Sequence, residues 1–362
     1  MEKTYKYNQI QEWIISSINS GKYKAGQKIL SEHALMTKFG VSRQTVRRAT
    51  DDLAEQGVLK RVKGKGMYAC SVSNTCGSTV GVLLSYFNEY IFPTVVEGIQ
   101  SELKKYGYKV DLGITHNRLE EEREYLERIL HEDCCGLIIE GTKSALPNPN
   151  LDLYEKLRKK GIPIVFIHNY YEGQKFPAVL VDDVEMSYQL TNKLLSAGHR
   201  KIAGVFKTED LQSHRRYYGF IKAMMDAHLP FDVFWFSDTT VMNCFTSGLV
   251  KYLNNNDCTA MFFYNDKIAI GIIHELEKCD AGILDDLSIV AFDDLQGLYE
   301  DGLISTELTS ARYPKEAIAK ESVKMLFRLM EEGTEKFEGT VTEVSNGIAD
   351  RSSIKRNEKV LY

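Results

Sequence analysis

From Thr79 onward, short apolar runs alternate with amphipathic stretches, and that alternation leaves few folds open. Apolar runs stand at 79–84, 109–113, 136–140 and 163–167, separated by stretches of helical period at 93–106, 118–132 and 152–160. A second series places runs at 178–181, 201–206, 260–263 and 288–292, with helical stretches at 184–197, 214–227 and 265–279. Pro93 lies near a helix start, and Gly107, Gly161 and Gly198 fall just past helix ends. Strands that alternate with helices require parallel sheets covered on both faces. The expected class is therefore α/β, with two parallel sheets in two lobes: 79–170 with 300–335, and 178–295 with the C-terminal strands.

The front of the chain obeys another pattern. Ile10, Trp13, Ile14 and Ile18 make one helical stripe that ends at Gly21. Ser31 suits the N-cap of a second helix carrying Leu35, Met36 and Phe39 inward, and Gly40 breaks it. Ser42 suits the cap of a third helix, where Val46, Ala49 and Leu53 form the apolar face and Arg43, Gln44 and Arg47 fall off it. Two short strands around Lys63-Gly64-Lys65-Gly66 complete a helix–turn–helix with a hairpin wing. Residues 71–78 (Ser-Val-Ser-Asn-Thr-Cys-Gly-Ser) lack periodicity and read as a linker between a domain over 1–70 and one over 79–362.

Charge divides at the same place. Residues 1–70 hold 13 Lys and Arg against 6 Asp and Glu, a net +7, whereas the remainder holds 32 against 44, a net −12. A basic head on an acidic body suits a chain that meets double-stranded DNA with one end only. The opening Met-Glu-Lys-Thr-Tyr-Lys lacks a secretory signal, and no run nears the roughly 20 apolar residues that span a bilayer, so no membrane role and a cytoplasmic location are expected. The seven cysteines have no metal-ligand spacing and read as reduced packing residues. No metal and no cofactor are expected.

In open parallel sheets, ligands bind beyond the carboxyl ends of the strands. Those positions are polar here: Tyr86 and Asn88, Glu140 and Lys143, His168, Asp182, Lys207, Gln212 and Arg216, Asn265, and Asp293. Carboxylates, amides and an arginine among tyrosines suit a sugar, whose hydroxyls need paired donors and acceptors and whose ring needs an aromatic platform. Taken singly, Asp182, Asn265 and Asp293 equally suit helix caps, Lys143 a solvated lysine, and His168 a satisfied, partly buried histidine. An acid–base pair of Asp182 and Asp293 would be the starting point for an enzyme. No Ser-His-Asp set, metal cluster or complete phosphate-binding loop accompanies it, so an enzyme is not expected.

Over residues 4–69 the chain resembles the GntR family of winged-helix DNA-binding domains, through Tyr7-Asn8-Gln9-Ile10, Gly26-Gln27-Lys28-Ile29, Ser31-Glu32, Thr45-Val46-Arg47 and Gly64-Lys65-Gly66. Leu30 stands where that family has Pro. The resemblance implies that Glu32, Arg43, Gln44 and Arg47 approach base edges, while Lys6, Thr45, Lys63 and Gly64 hold phosphates or the minor groove. Arg48 and Lys65 join this DNA-facing set. Over 79–350 the chain resembles the LacI-type regulator core, similar to periplasmic sugar-binding proteins. Gly136-Leu137-Ile138-Ile139, Gly198-His199-Arg200-Lys201-Ile202, Arg216-Tyr217-Tyr218-Gly219-Phe220, Phe263-Tyr264-Asn265-Asp266 and Asp293-Asp294 carry that likeness. It implies effector contacts from Arg216, Asn265 and Asp293, a third crossover between lobes at 307–313, and a homodimer. The pairing of the two families is similar to that in arabinose-responsive repressors, which implies L-arabinose as the effector releasing operator DNA. The residues themselves leave other pentoses and hexoses open.

Overall fold

The computed structural model describes residues 2–19, 22–23, 26–55, 58–62, 65–69, 79–87, 91–240, 242–279, 281–295 and 307–357. The chain divides into an N-terminal unit over Met1–Ser78 and a larger unit that begins at Thr79. In the first, α1 (Glu2–Asn19), α2 (Glu32–Phe39) and α3 (Arg43–Glu55) precede a hairpin of β1 (Leu59–Val62) and β2 (Gly66–Ala69). Ile10, Ile14, Leu35, Val46, Ala49, Leu53 and Leu59 bury a common core, all at 2 % exposure or less. The segment 26–29 lies along β2, with Ile29 N donating to Met67 O at 3.0 Å and Ala69 N to Gln27 O at 2.9 Å.

The larger unit holds two sheets of six strands. Its first part runs β3 (Thr79–Leu84), α4 (Phe92–Lys104), β4 (Lys109–Ile114), α5 (Leu119–His131), β5 (Leu137–Ile139), α6 (Leu151–Lys159), β6 (Ile164–Ile167) and β7 (Ala178–Val181). It continues with α7 (Asp183–Ser196), β8 (Ile202–Lys207), α8 (Leu211–Asp226), β9 (Phe231–Phe236) and α9 (Met242–Asn255). Then come β10 (Ala260–Phe263), α10 (Asp266–Cys279), β11 (Ser288–Asp293) and β12 (Thr309–Arg312). The chain closes with α11 (Lys315–Glu332), β13 (Val341–Val344) and β14 (Ile348–Ala349).

The first sheet has the order β13-β7-β6-β5-β3-β4, all parallel. The second has the order β14-β12-β11-β10-β8-β9, parallel except at β14. Strands buried on both faces explain the continuous apolar runs, since β5, β6, β7, β8 and β10 expose no residue. In each sheet the chain reverses its direction of growth once near the middle, between β3 and β5 in the first and between β8 and β10 in the second. A ligand crevice opens outside the carboxyl ends at such reversals.

The allotment of segments to lobes differs from the expectation in three places. The run 178–181 was assigned to the second lobe, yet β7 pairs with β6 through Phe166–Ala178 and Ile167–Val179 and belongs to the first sheet. Of 300–335, assigned to the first lobe, β12 joins the second sheet, while α11 packs on the first lobe, Ala319 against Gly98 and Phe327 against Tyr106 at 4.8 Å between ring centroids. Of the C-terminal strands, β13 pairs with β7 in the first sheet and only β14 reaches the second. Hydrogen bonding between distant segments decides these assignments, and local pattern carries none of it. Strand β9 and helix α9 were not foreseen; β9 has a single neighbour, and Asp232 interrupts its apolar run.

Helices α7 and α8 approach closely because position 219 has no side chain. A Cβ there would meet the Val184 carbonyl, Ser187 Cβ at 2.7 Å and Tyr188 N at 3.0 Å, mostly backbone that cannot swing aside. Gly219→Ala is expected to destabilise the larger unit by about 1–3 kcal/mol, as overpacking does, read as a lowered denaturant midpoint.

Candidate effector cavity and nucleic-acid interface

In the N-terminal unit, Ser31 caps α2 by accepting from Ala34 N at 3.2 Å, and Gly40 ends it at φ 60°. That turn sets the start of α3, where the Ser42 hydroxyl accepts from Thr45 N at 3.3 Å and meets the Thr45 hydroxyl at 2.9 Å. With Val46, Ala49 and Leu53 buried, the opposite face presents Arg43 and Arg47, their side chains 73 % and 60 % exposed, beside exposed Gln44 and Arg48. Neither arginine hangs loose. Arg43 Nε donates to Glu32 at 3.1 Å, and Arg47 pairs with Asp51 at 3.9 Å. Arg61 on β1 reaches both acids, Asp51 at 2.5 Å and Glu32 at 3.7 Å. Sequence reasoning passed over Arg61 and Asp51; their acid–base pairing across α2, α3 and β1 appears only after folding. Arg48 lies 5.7 Å from the Tyr7 ring, and Lys6 and Lys65 are exposed. Lys63 and Gly64 lie outside the described residues. A short helix with polar side chains on its first turns and a flanking basic hairpin has the form that enters a major groove.

In the larger unit, a cavity of about 290 Å³ lies where the carboxyl ends of both sheets meet. Tyr86 follows β3, Glu140 follows β5, His168 follows β6, Lys207 ends β8, Gln212 opens α8, Asn265 follows β10 and Asp293 ends β11; all seven line it. Ser85, Asn117, Asp210, Asp238, Tyr264 and Lys267 add polar groups, and Ile91, Phe92, Phe236 and Ile268 add apolar ones. Asn117 and Asp238 follow the edge strands β4 and β9 and were missed. For Asp238 the reason is plain, because β9 itself went unrecognised.

The remaining expected contacts lie elsewhere. Asp182 caps α7, accepting from Glu185 N at 3.0 Å with its side chain 42 % exposed, so the alternative of a helix cap holds and the buried role passes to Asp183. Lys143 does not line the cavity; it pairs with Glu209 at 2.7 Å, because φ of 45° turns its backbone off the strand direction. Arg216 is 1 % exposed and does not line the cavity itself; it donates to Asp293, which does, at 3.2 Å. It also donates to Asp183 at 2.8 Å and to the Tyr264 carbonyl at 2.7 Å, with the Phe292 ring 4.0 Å away. Asn88 lies outside the described residues.

Proton states follow from these surroundings. Burial, and then Arg216, push the His168 imidazole down to about 3, so it is neutral. Its Nδ1 meets Gln212 Nε2 at 3.0 Å, a donor, which leaves the proton on Nε2. That Nε2 is buried without a protein partner, on a ring stacked over Tyr313 at 4.4 Å. Burial lifts Glu140 to about 8 despite the Ser85 amide donating to it at 2.8 Å, so near neutral pH it holds its proton. Burial works against the charge of Lys207, but Asp210 at 3.1 Å and Asp238 at 2.8 Å outweigh it and hold the ammonium above the usual lysine range. The cavity therefore offers donors at Glu140 and Lys207 and acceptors at Asp210, Asp238 and Asp293, beside His168 and aromatic faces. That is the complement of a polyhydroxylated ring.

Residues 77–347 match the family described as periplasmic binding proteins and sugar binding domain of LacI family, and residues 6–68 match the bacterial regulatory proteins of the gntR family. The chain belongs to the LacI-type sugar-binding family. Within it, the arabinose metabolism transcriptional repressor of Geobacillus stearothermophilus is 34 % identical, covering 91 % of this chain and 93 % of that protein. The repressor of the same description from Halalkalibacterium halodurans is 32 % identical over 90 % of each chain. Among solved structures, a LacI family transcriptional regulator from Enterococcus faecium with bound ribose has a TM-score of 0.64 at 24 % identity, covering 77 % of this chain and all of that one. The regulator CcpA of Lactococcus lactis has a TM-score of 0.65 at 23 % identity, covering 76 % and 99 %. At those identities the structures share the fold, a LacI-type two-lobed body. The N-terminal unit is a GntR-type helix–turn–helix domain. Among the described residues, no cluster of His, Cys, Asp and Glu is arranged to hold a metal, and no helix is long and apolar enough to cross a membrane.

Two outcomes follow from the burial of these groups. Because Glu140 keeps its proton to about 8 in the folded chain and loses it near 4.5 when unfolded, its contribution to stability falls as pH rises through that window and levels off above it. The stability of the wild type relative to Glu140→Gln, followed by denaturant midpoints, should fall over that window and be flat beyond. Arg216→Ala strands Asp183 and Asp293 and should cost about 3–5 kcal/mol by the same measurement.

Proposed function

We propose that this protein is a DNA-binding transcriptional repressor of sugar-utilisation genes whose operator complex is released by L-arabinose. The observation that carries the reading is the cavity at the carboxyl ends of both sheets, where protonated Glu140 and the Lys207–Asp210–Asp238 group offer donors and acceptors beside Tyr86, Phe92 and neutral His168. The relatives at 34 % and 32 % identity, both described as arabinose metabolism repressors and matched over nearly their whole length, support the choice of sugar. In this reading Glu140, His168, Lys207, Gln212, Asn265, Asp293 and Tyr86 contact the sugar, and Arg216 orients Asp293. The chain is not an enzyme: the sugar leaves the cavity unchanged.

Arg43, Gln44 and Arg47 on α3, with Glu32, read base edges, while Lys6, Thr45, Arg48, Lys63, Gly64 and Lys65 hold the phosphate backbone. The domain over 1–70 is the DNA-binding part, 71–78 the linker, and 79–362 the effector-binding and dimerisation part. The regulator acts in the cytoplasm as a homodimer on paired half-sites, as two-fold symmetric operators require. Sugar binding lowers operator affinity only as far as it favours the form that grips DNA poorly.

A calorimetric panel of pentoses and hexoses, together with gel shifts on operator DNA, tests this reading. L-Arabinose should bind most tightly and weaken the shift, and affinity for DNA should fall steeply with salt. Arg47→Ala should lose about 1–3 kcal/mol of discrimination for operator over random DNA while binding sugar normally. Failure of every sugar to bind, or of Arg47→Ala to alter discrimination, would overturn the respective assignment.

A further inference from the structure

Four residues at the rim of the cavity close a ring of hydrogen bonds that crosses from one lobe to the other. Lys143 N donates to Asn117 Oδ1 at 2.9 Å, and Asn117 Nδ2 donates to Asp238 Oδ2 at 2.5 Å. Asp238 N donates to Glu209 Oε2 at 2.9 Å, and Lys143 Nζ returns to Glu209 Oε1 at 2.7 Å. Asn117 and Lys143 follow β4 and β5 of the first sheet, whereas Glu209 and Asp238 follow β8 and β9 of the second. Adjacent backbone joins the same seam, with Ala145 N donating to Glu209 O and Leu211 N to Ser144 Oγ, each at 3.0 Å.

Three features set this ring apart from ordinary surface pairing. Asn117 and Glu209 are 2 % and 6 % exposed, so two of the four members are buried and their bonds are screened less than exposed pairs. Asn117 and Lys143 hold φ of 54° and 45°, a backbone region that a lysine seldom adopts, so the seam over-determines a conformation the chain would otherwise leave. Asp238 is shared: its carboxylate also pairs with Lys207 at 2.8 Å inside the cavity. Asn117 and Asp238 line the cavity, whereas Lys143 and Glu209 stand outside it.

We infer that Asn117, Lys143, Glu209 and Asp238 form a latch between the lobes, with Lys143 and Glu209 as positioning residues that tune sugar affinity without touching the sugar. The inference rests on the reading of the cavity as a sugar site. A latch that favours the closed arrangement raises the competent fraction, and apparent affinity rises with that fraction. Lys143 then acts on the effector through lobe closure, which accounts for its place beyond the cavity wall.

Hydrogen–deuterium exchange on the full chain reads the latch without sugar, at the amides of Lys143, Ala145, Leu211 and Asp238. All four should exchange slowly in the wild type and roughly tenfold faster in Lys143→Met and in Glu209→Gln, because each bond in a coupled seam supports the others. Titration of L-arabinose should show roughly three- to tenfold weaker binding for each variant, and the double variant no weaker than the worse single one. Unchanged amide exchange would overturn the latch whatever the sugar does. So would unchanged sugar affinity, or effects that add as if independent. A wild type that binds no sugar while its amides respond as stated would overturn the sugar reading and uphold the latch.

Discussion

The guanidinium of Arg216 is the constraint around which the second lobe is arranged. A fully buried positive charge persists only where carboxylates and carbonyls surround it, and Asp183, Asp293 and the Tyr264 carbonyl do so from α7, β11 and the end of β10. Those three attachments fix the register in which α7, α8, β10 and β11 present their ends. Asp293, with φ of 99°, bends away from the strand direction at that point and faces the cavity. The close approach of α7 to α8 at Gly219 places the arginine within reach of Asp183.

The first lobe has a counterpart in the buried carboxylate of Glu122 on α5. Tyr154 and Tyr171 donate to one oxygen at 2.7 and 2.5 Å, and Asn148 and Asn150 to the other, both at 2.8 Å. Tyr171 lies close to the Thr142 carbonyl, at 3.0 Å, and Asn148 and Asn150 close the loop after β5. That loop carries Lys143, Ser144 and Ala145 to the seam between the lobes. Each lobe thus anchors its cavity-facing loops on one buried ionisable group whose hydrogen-bonding capacity is nearly filled. The rim of the cavity inherits its order from groups well behind it.

Burial also decides which cavity groups donate. Burial outweighs the Ser85 amide at Glu140, which keeps its proton, whereas Asp238 stays ionised because Lys207 outweighs the effect of burial. Two carboxyl groups in one cavity therefore present opposite hydrogen-bonding characters. In the N-terminal unit Arg43 and Arg47 of α3 are exposed and paired instead of buried, and they hold their places through Glu32 and Asp51. Contact with phosphates or bases has to compete with those exposed pairs, each weak in water.

Most strands and helices of both units were legible in the sequence, because apolar period and capping residues act within a few residues of one another. Ser31, Gly40 and Ser42 marked the turn between α2 and α3, and the runs beginning at Thr79, Ala178 and Lys201 marked central strands. The polar strand ends also pointed to a ligand site, since Tyr86, Glu140, His168, Lys207, Gln212, Asn265 and Asp293 follow strands whose polarity alternation is absent. Tertiary structure alone decided which sheet received β7, β12 and β13, because backbone pairing between segments far apart in sequence has no local signature. It also sent Asp182 to a helix cap and Asp183 to Arg216, drew Lys143 out to Glu209, and brought Asn117 and Asp238 to the cavity. A side chain's role there depends on the direction its backbone faces and on what lies across the gap, and both are set by long-range packing.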